Sequence, residues 1–312
     1  MNTIQILLFF QGPTAKWAFV CYFYSMIIPP IKIQGKKTKL VPHIMEIANT
    51  LLSEHKDIDT WVEPFLGSGV VAFNCPNRIS KVIVNDINPH IINLYKQIAY
   101  GLITPEMVET VFHYHNDELL KGGYDYYNKI KDRFNEHFDP MDFLFLTRTG
   151  FNGVMRFNGS GKWNVPFCKL NDRLSKTVID DLKKTVGELS HLFLTKEFIF
   201  HNTSFEKVLE TSPTNSIFYC DPPYYGLAVQ YFKGWEKEDE IRLNRMLKDK
   251  VFIYSTWLND GHKDNPMIQE YWKDYEIEGK SHKYNVAEQS KQRIPVTEGL
   301  IYTKVENKYK LF

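Results

Sequence analysis

The chain has few cysteines, no excess of charge of either sign and no apolar run long enough to span a bilayer. Cys21, Cys75, Cys168 and Cys220 are the only four in 312 residues, and none sits in a Cys-x-x-Cys pair or beside a usable histidine spacing. That excludes a zinc framework or disulfide scaffold, leaves no metal site expected and fits a reducing compartment. Lys and Arg number 38 against 37 Asp and Glu, so no global basic field announces a polyanionic partner, and such contacts must come from a local patch. The apolar runs at 4–10 and 17–28 are interrupted by Gln11-Gly12-Pro13 and Lys16. Both fall short of the roughly 18 residues of a membrane span. With no Lys or Arg before the first run, a signal peptide is a poor match. Met26 reads as the natural start, with residues 1–25 an extension that has no role in the fold.

Positive signals begin past residue 33. Leu40, Ile44, Ile47, Ala48, Leu51 and Leu52 recur at helical spacing on one face. A β-rich run at 59–62 ends at Glu63-Pro64-Phe65-Leu66-Gly67-Ser68-Gly69. Residues 70–73 are expected to open a helix, 81–86 form a second strand stopped by Asn88-Pro89, and 91–99 are helical again. Strand, glycine turn, helix, strand and helix make a βαβ unit and hence a parallel sheet. From 105 to 196 the chain is rich in Tyr, His, Asn and charge, without another such unit. Strand-like runs resume at 198–201, 216–220, 251–255, 275–277 and 299–303. The expected organisation is one α/β catalytic, cofactor-binding domain, 26–104 with 197–312, interrupted by an insertion at 105–196.

Two constellations carry chemistry. Gly67-x-Gly69-x-x-Ala72 follows a strand, and Asp86 ends the next one, which together meet a dinucleotide fingerprint. The glycines let main chain approach a ligand, and the acid accepts from ribose hydroxyls. Pro64-Phe65 stands where a dinucleotide fold runs its strand directly into glycine. That favours a nucleoside without a pyrophosphate, such as S-adenosylmethionine. The second constellation is Asp221-Pro222-Pro223-Tyr224. A lone Pro-Pro step is usually only a rigid turn, but this composition suits a specific task. An exocyclic amine on an aromatic base is a poor nucleophile, because its lone pair is delocalised into the ring. Acceptors that hold its hydrogens favour a pyramidal nitrogen. The Asp221 carboxylate is one acceptor and the Pro222 carbonyl a second, while Tyr224 offers a face to a base that has left the duplex. Orientation and fixed polarity are sufficient for such a transfer.

At these residues the chain resembles the Dam-like DNA adenine methyltransferases, over about 29–310. Four segments carry the resemblance in order: Ile33-Gln34-Gly35-Lys36-Lys37; the loop from Glu63 to Gly69 with Asn85-Asp86; Phe151-Asn152-Gly153 through Arg156-Phe157-Asn158 to Trp163-Asn164-Val165-Pro166-Phe167; and the Asp221 tetrapeptide. The resemblance implies a Rossmann-like α/β sheet that takes S-adenosylmethionine, with an inserted, mainly helical target-recognition domain between the cofactor loop and Asp-Pro-Pro-Tyr. Ile33, Lys37, Phe65, Gly67, Gly69, Asp86 and Asp221 are then expected at the cofactor, Lys37 on its carboxylate and Asp86 on its ribose. Asp221, Pro222, Pro223 and Tyr224 are expected at the N6 amine of an adenine flipped from duplex DNA. Ile33 stands where relatives carry Trp or Tyr, and Ser160 where some carry a basic residue.

Residues 147–169 contain Arg148, Arg156, Lys162 and Lys169 without an acid, interleaved with Phe151, Phe157, Trp163 and Phe167. Basic groups beside aromatics suit phosphate contact and base stacking, and equally a solvated loop over an aromatic mini-core. Arg148, Arg156, Asn158, Lys162 and Asn164 are the expected DNA contacts. Lys32, Lys36 and Lys39 read as a solvated face, and 235–240 as an exposed helix start. Three rivals stand beside this reading. Methylation of a cytosine amine or of RNA is nearest. An idle DNA-binding protein is disfavoured by the intact Lys37 and Asp221, and a nicotinamide oxidoreductase by the unexplained tetrapeptide. The expected enzyme is a cytoplasmic monomer of a bacterial or phage-infected cell, acting on double-stranded DNA with no membrane contact. The resemblance allows a cognate restriction endonuclease as partner.

Overall fold

A computed structural model describes residues 26–226, 234–282 and 296–305, and the expected extension at 1–25 lies outside them. Seven strands form one sheet: Thr60–Glu63 (β1), Lys81–Asn85 (β2), Glu197–His201 (β3), Ser216–Cys220 (β4), Val251–Asn259 (β5), Glu276–His282 (β6) and Val296–Tyr302 (β7). Their order is β3-β2-β1-β4-β5-β7-β6. β1 to β5 are mutually parallel, and β7 runs antiparallel between β5 and β6. The helices are Val41–Glu54 (α1), Pro89–Ala99 (α2), Pro105–His137 (α3), Pro140–Thr149 (α4), Lys176–Thr195 (α5), Phe205–Thr211 (α6) and Lys237–Leu247 (α7).

Strand side chains alternate between two cores, as period-two geometry requires. Trp61, Val82, Val84, Ile217, Tyr219, Ile253 and Leu300 face one side, with Ile44 and Leu51 of α1 and Leu94 of α2. Val62, Ile83, Phe218, Cys220, Phe252, Tyr254 and Ile301 face the other, with Leu209 of α6 and Leu243 and Leu247 of α7. Cover on both faces explains why these strands read as unbroken apolar runs. Phe112 of α3, Phe145 of α4 and Leu189 of α5 belong to the same continuous core as α1 and α2.

The helix expected at 70–73 is only a 3-10 turn, Ala72–Asn74. Pro76 accounts for it by disfavouring helical geometry at the residue before it, and Cys75 is extended at φ −58°, ψ 156°. Asn88 caps α2 by accepting from the His90 N–H at 3.0 Å, with Pro89 in the first turn. Thr104 and Asp139 cap α3 and α4 in the same way, each followed by proline. The sheet is a doubly wound, Rossmann-like one. Its order reverses between β1 and β4, so their carboxyl ends flank a crevice of the kind where ligands bind in such sheets.

Candidate active site

The loops leaving β1, β2 and β3 are tied together by one buried side chain. Asn85 donates to the Pro64 carbonyl at 2.9 Å and the Thr203 carbonyl at 3.1 Å, and accepts from the Thr203 N–H at 2.9 Å. The glycine loop then folds over Asp86, whose Oδ2 accepts from the Gly67 N–H at 2.8 Å while Oδ1 accepts from Asn88 at 2.8 Å. Gly67 has φ +51° and Gly69 φ +79°, the left-handed region that glycine enters without strain. A Cβ on Gly69 would also lie 2.3 Å from the Phe73 ring.

Between these loops and β4 lies a cleft with about 1260 Å³ of space between its walls, part of it continuous with solvent. Ile33, Lys37, Phe65, Gly67, Asp86, Asp221, Pro222 and Pro223 line it. Gly69 does not, because it is occupied in making the turn against Phe73. Tyr224 is not in that lining, and Lys37 Nζ lies over its ring. Thr203, Ser204 and Phe205 after β3, Met155 from the 151–167 segment, Tyr219 of β4 and Trp235 are also among the lining residues. Burial pushes the Asp86 carboxyl up to about 6, against the pull of its two N–H donors. Burial likewise holds the Glu63 carboxyl, at the cleft floor, well above the carboxylate range.

On the opposite wall Lys37 Nζ lies 3.0 Å from Asp221 Oδ1, 3.9 Å from Glu298 Oε1 and 4.9 Å from the Tyr224 ring centre. It also donates to the Gly35 carbonyl at 3.1 Å. Burial opposes its charge, but Asp221, Tyr224 and Glu298 outweigh burial and raise the ammonium well above its ordinary value. Lys37 thus borders the cleft with its charge directed at Asp221. Burial raises Asp221 to about 6, with Lys37 and the Ser255 hydroxyl drawing it down and Glu298 adding to the rise. Ser255 could be suspected as a polar residue at the end of an apolar strand run, whereas Met155, Tyr219 and Glu298 carried no signal in the sequence, since register and loop packing alone bring them here.

The 151–167 segment is a hairpin. Phe157 pairs with Trp163 and Gly150 with Phe167, and Asn158 Oδ1 closes the tip by accepting from Ser160 and Lys162 N–H groups, each at 3.0 Å. Arg156 braces its arms, donating from Nε to Asn164 Oδ1 at 2.8 Å and from a terminal nitrogen to the Asn164 carbonyl at 2.9 Å. Asn158, Lys162 and Asn164 are exposed. Arg148 is not, and donates to the Pro30 carbonyl at 3.3 Å. The aromatics divide. Trp163 and Phe167 are buried, with Trp163 Nε1 donating to the Tyr127 hydroxyl at 3.0 Å, whereas Phe151 is 52% exposed.

Two solvated-face expectations are corrected. Lys36 turns inward to the Pro29 carbonyl, and burial, with Arg148 nearby, lowers its ammonium to about 8. Glu240 is buried rather than exposed, because it accepts from Trp235 Nε1 at 2.9 Å, Tyr254 Oη at 2.7 Å and Trp272 Nε1 at 2.8 Å. Those bonds set Trp235 against Phe65 and Phe205, with ring centres 5.4 and 5.3 Å away.

Residues 34–286 match the D12 class N6 adenine-specific DNA methyltransferase family. The chain is 24% identical over 263 residues to the type II methyltransferase M1.LlaDCHI of Lactococcus lactis subsp. cremoris, covering 80% of this chain and 86% of that protein. It is 31% identical over 176 residues to a DNA adenine methylase of Haemophilus influenzae, covering 54% and 56% respectively. Among solved structures it is similar to the rRNA methyltransferase aviRa of Streptomyces viridochromogenes, at a TM-score of 0.38 and 12% identity over 87% of this chain and 86% of that one. With the family match spanning most of its length, the chain belongs to the D12 class N6 adenine-specific DNA methyltransferases.

Proposed function

We propose that the chain methylates the N6 amine of a flipped adenine in double-stranded DNA, with Asp86 and Asp221 lining one cleft as the observation that carries the assignment. The donor is S-adenosylmethionine, which when bound supplies an electrophilic methyl group on a sulfonium. The residues present fit it. Each Asp86 oxygen takes one N–H and keeps a lone pair for a ribose hydroxyl. Phe65, Ile87 and Phe205 offer apolar walls to a purine. The buried Tyr219 hydroxyl has no hydrogen-bond partner among the described residues, and such a group calls for one.

The reacting amine is the task of the other wall. Asp221 accepts one of its hydrogens and the Pro222 carbonyl the other, so the nitrogen lone pair leaves conjugation with the ring. Tyr224 offers the stacking face, and Lys37 keeps Asp221 ionised near neutral pH. The sequence order supports the subgroup whose target-recognition segment, here 105–196, lies between cofactor loop and tetrapeptide. Its hairpin, with Arg156, Asn158, Lys162 and Asn164, meets the DNA, while half-buried Arg148, expected there too, is held at the Pro30 carbonyl. No helix among the described residues is long and apolar enough to cross a membrane. The type II name of the Lactococcus relative supports a cognate restriction endonuclease as partner. The enzyme works as a monomer in the cytoplasm of a bacterial or phage-infected cell.

The test is incubation with labelled S-adenosylmethionine and duplex DNA, followed by nucleoside analysis. Label in N6-methyl-2′-deoxyadenosine is expected, and label in a cytosine nucleoside would overturn the reading. Asp221→Ala should lower kcat by about 100-fold or more while retaining affinity for cofactor and DNA. Full activity in that variant would remove the proposed mechanism.

A further inference from the structure

Behind Asp221 lies a second buried carboxylate, with no part in the transfer as described. Glu298 is on β7, where it pairs in register with Trp257 of β5, two residues beyond Ser255. It is 5% exposed. Its Oε1 is 3.9 Å from Lys37 Nζ and accepts a long bond, 3.4 Å, from the Tyr224 hydroxyl. Lys37 in turn touches Asp221 at 3.0 Å and lies over the Tyr224 ring. One ammonium therefore serves two carboxylates, and one carboxylate holds both the ammonium and the phenol. An acid in so dry a place is costly unless compensated, and Lys37 and Tyr224, which contribute to that compensation, both stand at Asp221.

We infer that Glu298 is a positioning residue for methyl transfer. It fixes the ring on which the base stacks and draws the Lys37 ammonium partly toward itself, leaving Asp221 lone pairs for the amine. This rests on the reading of Asp221 as the amine's acceptor. Glu298 is absent from the lining of the cofactor cleft, so its effect on cofactor affinity is expected to be small. Its charge also bears on Asp221, together with Lys37 from the 33–37 loop, Glu63 at the end of β1, Tyr219 in β4, Ser255 in β5 and Tyr224.

The decisive experiment measures kcat against pH and cofactor affinity for the full chain carrying Glu298→Ala or Glu298→Gln, with Asp221→Ala as reference. Glu298→Ala should lose about tenfold or more in kcat and hold cofactor affinity within about twofold. Glu298→Gln keeps an oxygen for the Tyr224 hydroxyl and should recover much of that rate, its acid limb displaced to lower pH because a like charge has gone. A wild-type acid limb in Glu298→Gln, or loss of cofactor affinity in step with activity, would overturn the inference. Should the alanine variant not fold, the glutamine variant decides alone by its acid limb. An active Asp221→Ala would instead refute the acceptor reading. An inactive one beside unaltered Glu298 variants would refute only the role given to Glu298.

Discussion

At the scale of single residues, the two aspartates of the cleft work against the fold that holds them. Burial raises Asp86 to about 6 from an ordinary 3.8, so the folded chain binds this proton more tightly than the unfolded one. Its ionisation therefore lowers stability as pH rises from about 4 to 6, and acidification relieves that cost. Between about pH 7 and pH 5.5, the melting temperature of the cofactor-free enzyme should gain less in Asp86→Asn than in the wild type. The same variant should lose cofactor affinity. Activity follows the opposite course. Asp221, raised to about 6, must be ionised to accept the amine, so kcat should fall about tenfold per pH unit on the acid side of that value. Asp86 and Asp221 were legible in the sequence because each ends a strand inside a short, ordered motif. Glu298 was not, because register between strands far apart in sequence brings it to Asp221.

At the scale of elements, the glycine loop separates two roles that one motif blurs. Gly67 has open space where a Cβ would stand, so Gly67→Ala meets only the strain of φ +51°, about 1–2 kcal/mol. Gly69→Ala adds a collision with the Phe73 ring at 2.3 Å. Denaturant unfolding should find Gly69→Ala the less stable of the two. Cofactor titration should find Gly67→Ala impaired, since Gly67 lines the cleft. The hairpin divides similarly. Trp163→Ala empties a fully buried site and should cost about 3–5 kcal/mol of stability. Arg156→Ala should weaken DNA binding by about 1–3 kcal/mol, with cofactor affinity unchanged. Charge and aromatic spacing identified this segment as a unit. They could not say which rings point inward, since a short hairpin carries no long period to mark its buried face.

At the scale of the whole molecule, the parallel sheet was readable because strands covered on both faces appear as apolar runs between turns, as at 216–220. The share of α3, α4 and α5 in the main core was less so. Their buried residues, Phe112, Phe145 and Leu189 among them, are spaced within a polar, charged stretch, and only packing reveals that they share one core with α1 and α2, with α4 and α5 set against α2. That continuity has a measurable outcome. Residues 105–196 expressed alone should remain unfolded by circular dichroism, and the full chain should melt in one transition.

The segment ahead of α1 has a bearing on redesign. Gln34 donates its main-chain N–H to the Gly153 carbonyl at 3.0 Å and its side-chain amide to the Asn152 carbonyl at 3.2 Å, so the strip bearing Lys37 is stitched to the base of the hairpin. Both acceptors are main-chain carbonyls at left-handed positions, Asn152 at φ +54° and Gly153 at φ +69°, so a transplanted 151–167 keeps the two bonds only if its backbone follows the same path there. A graft meant to change only which bases are read should therefore keep Asn152-Gly153, or it will loosen the strip that carries the ammonium beside Asp221 as well.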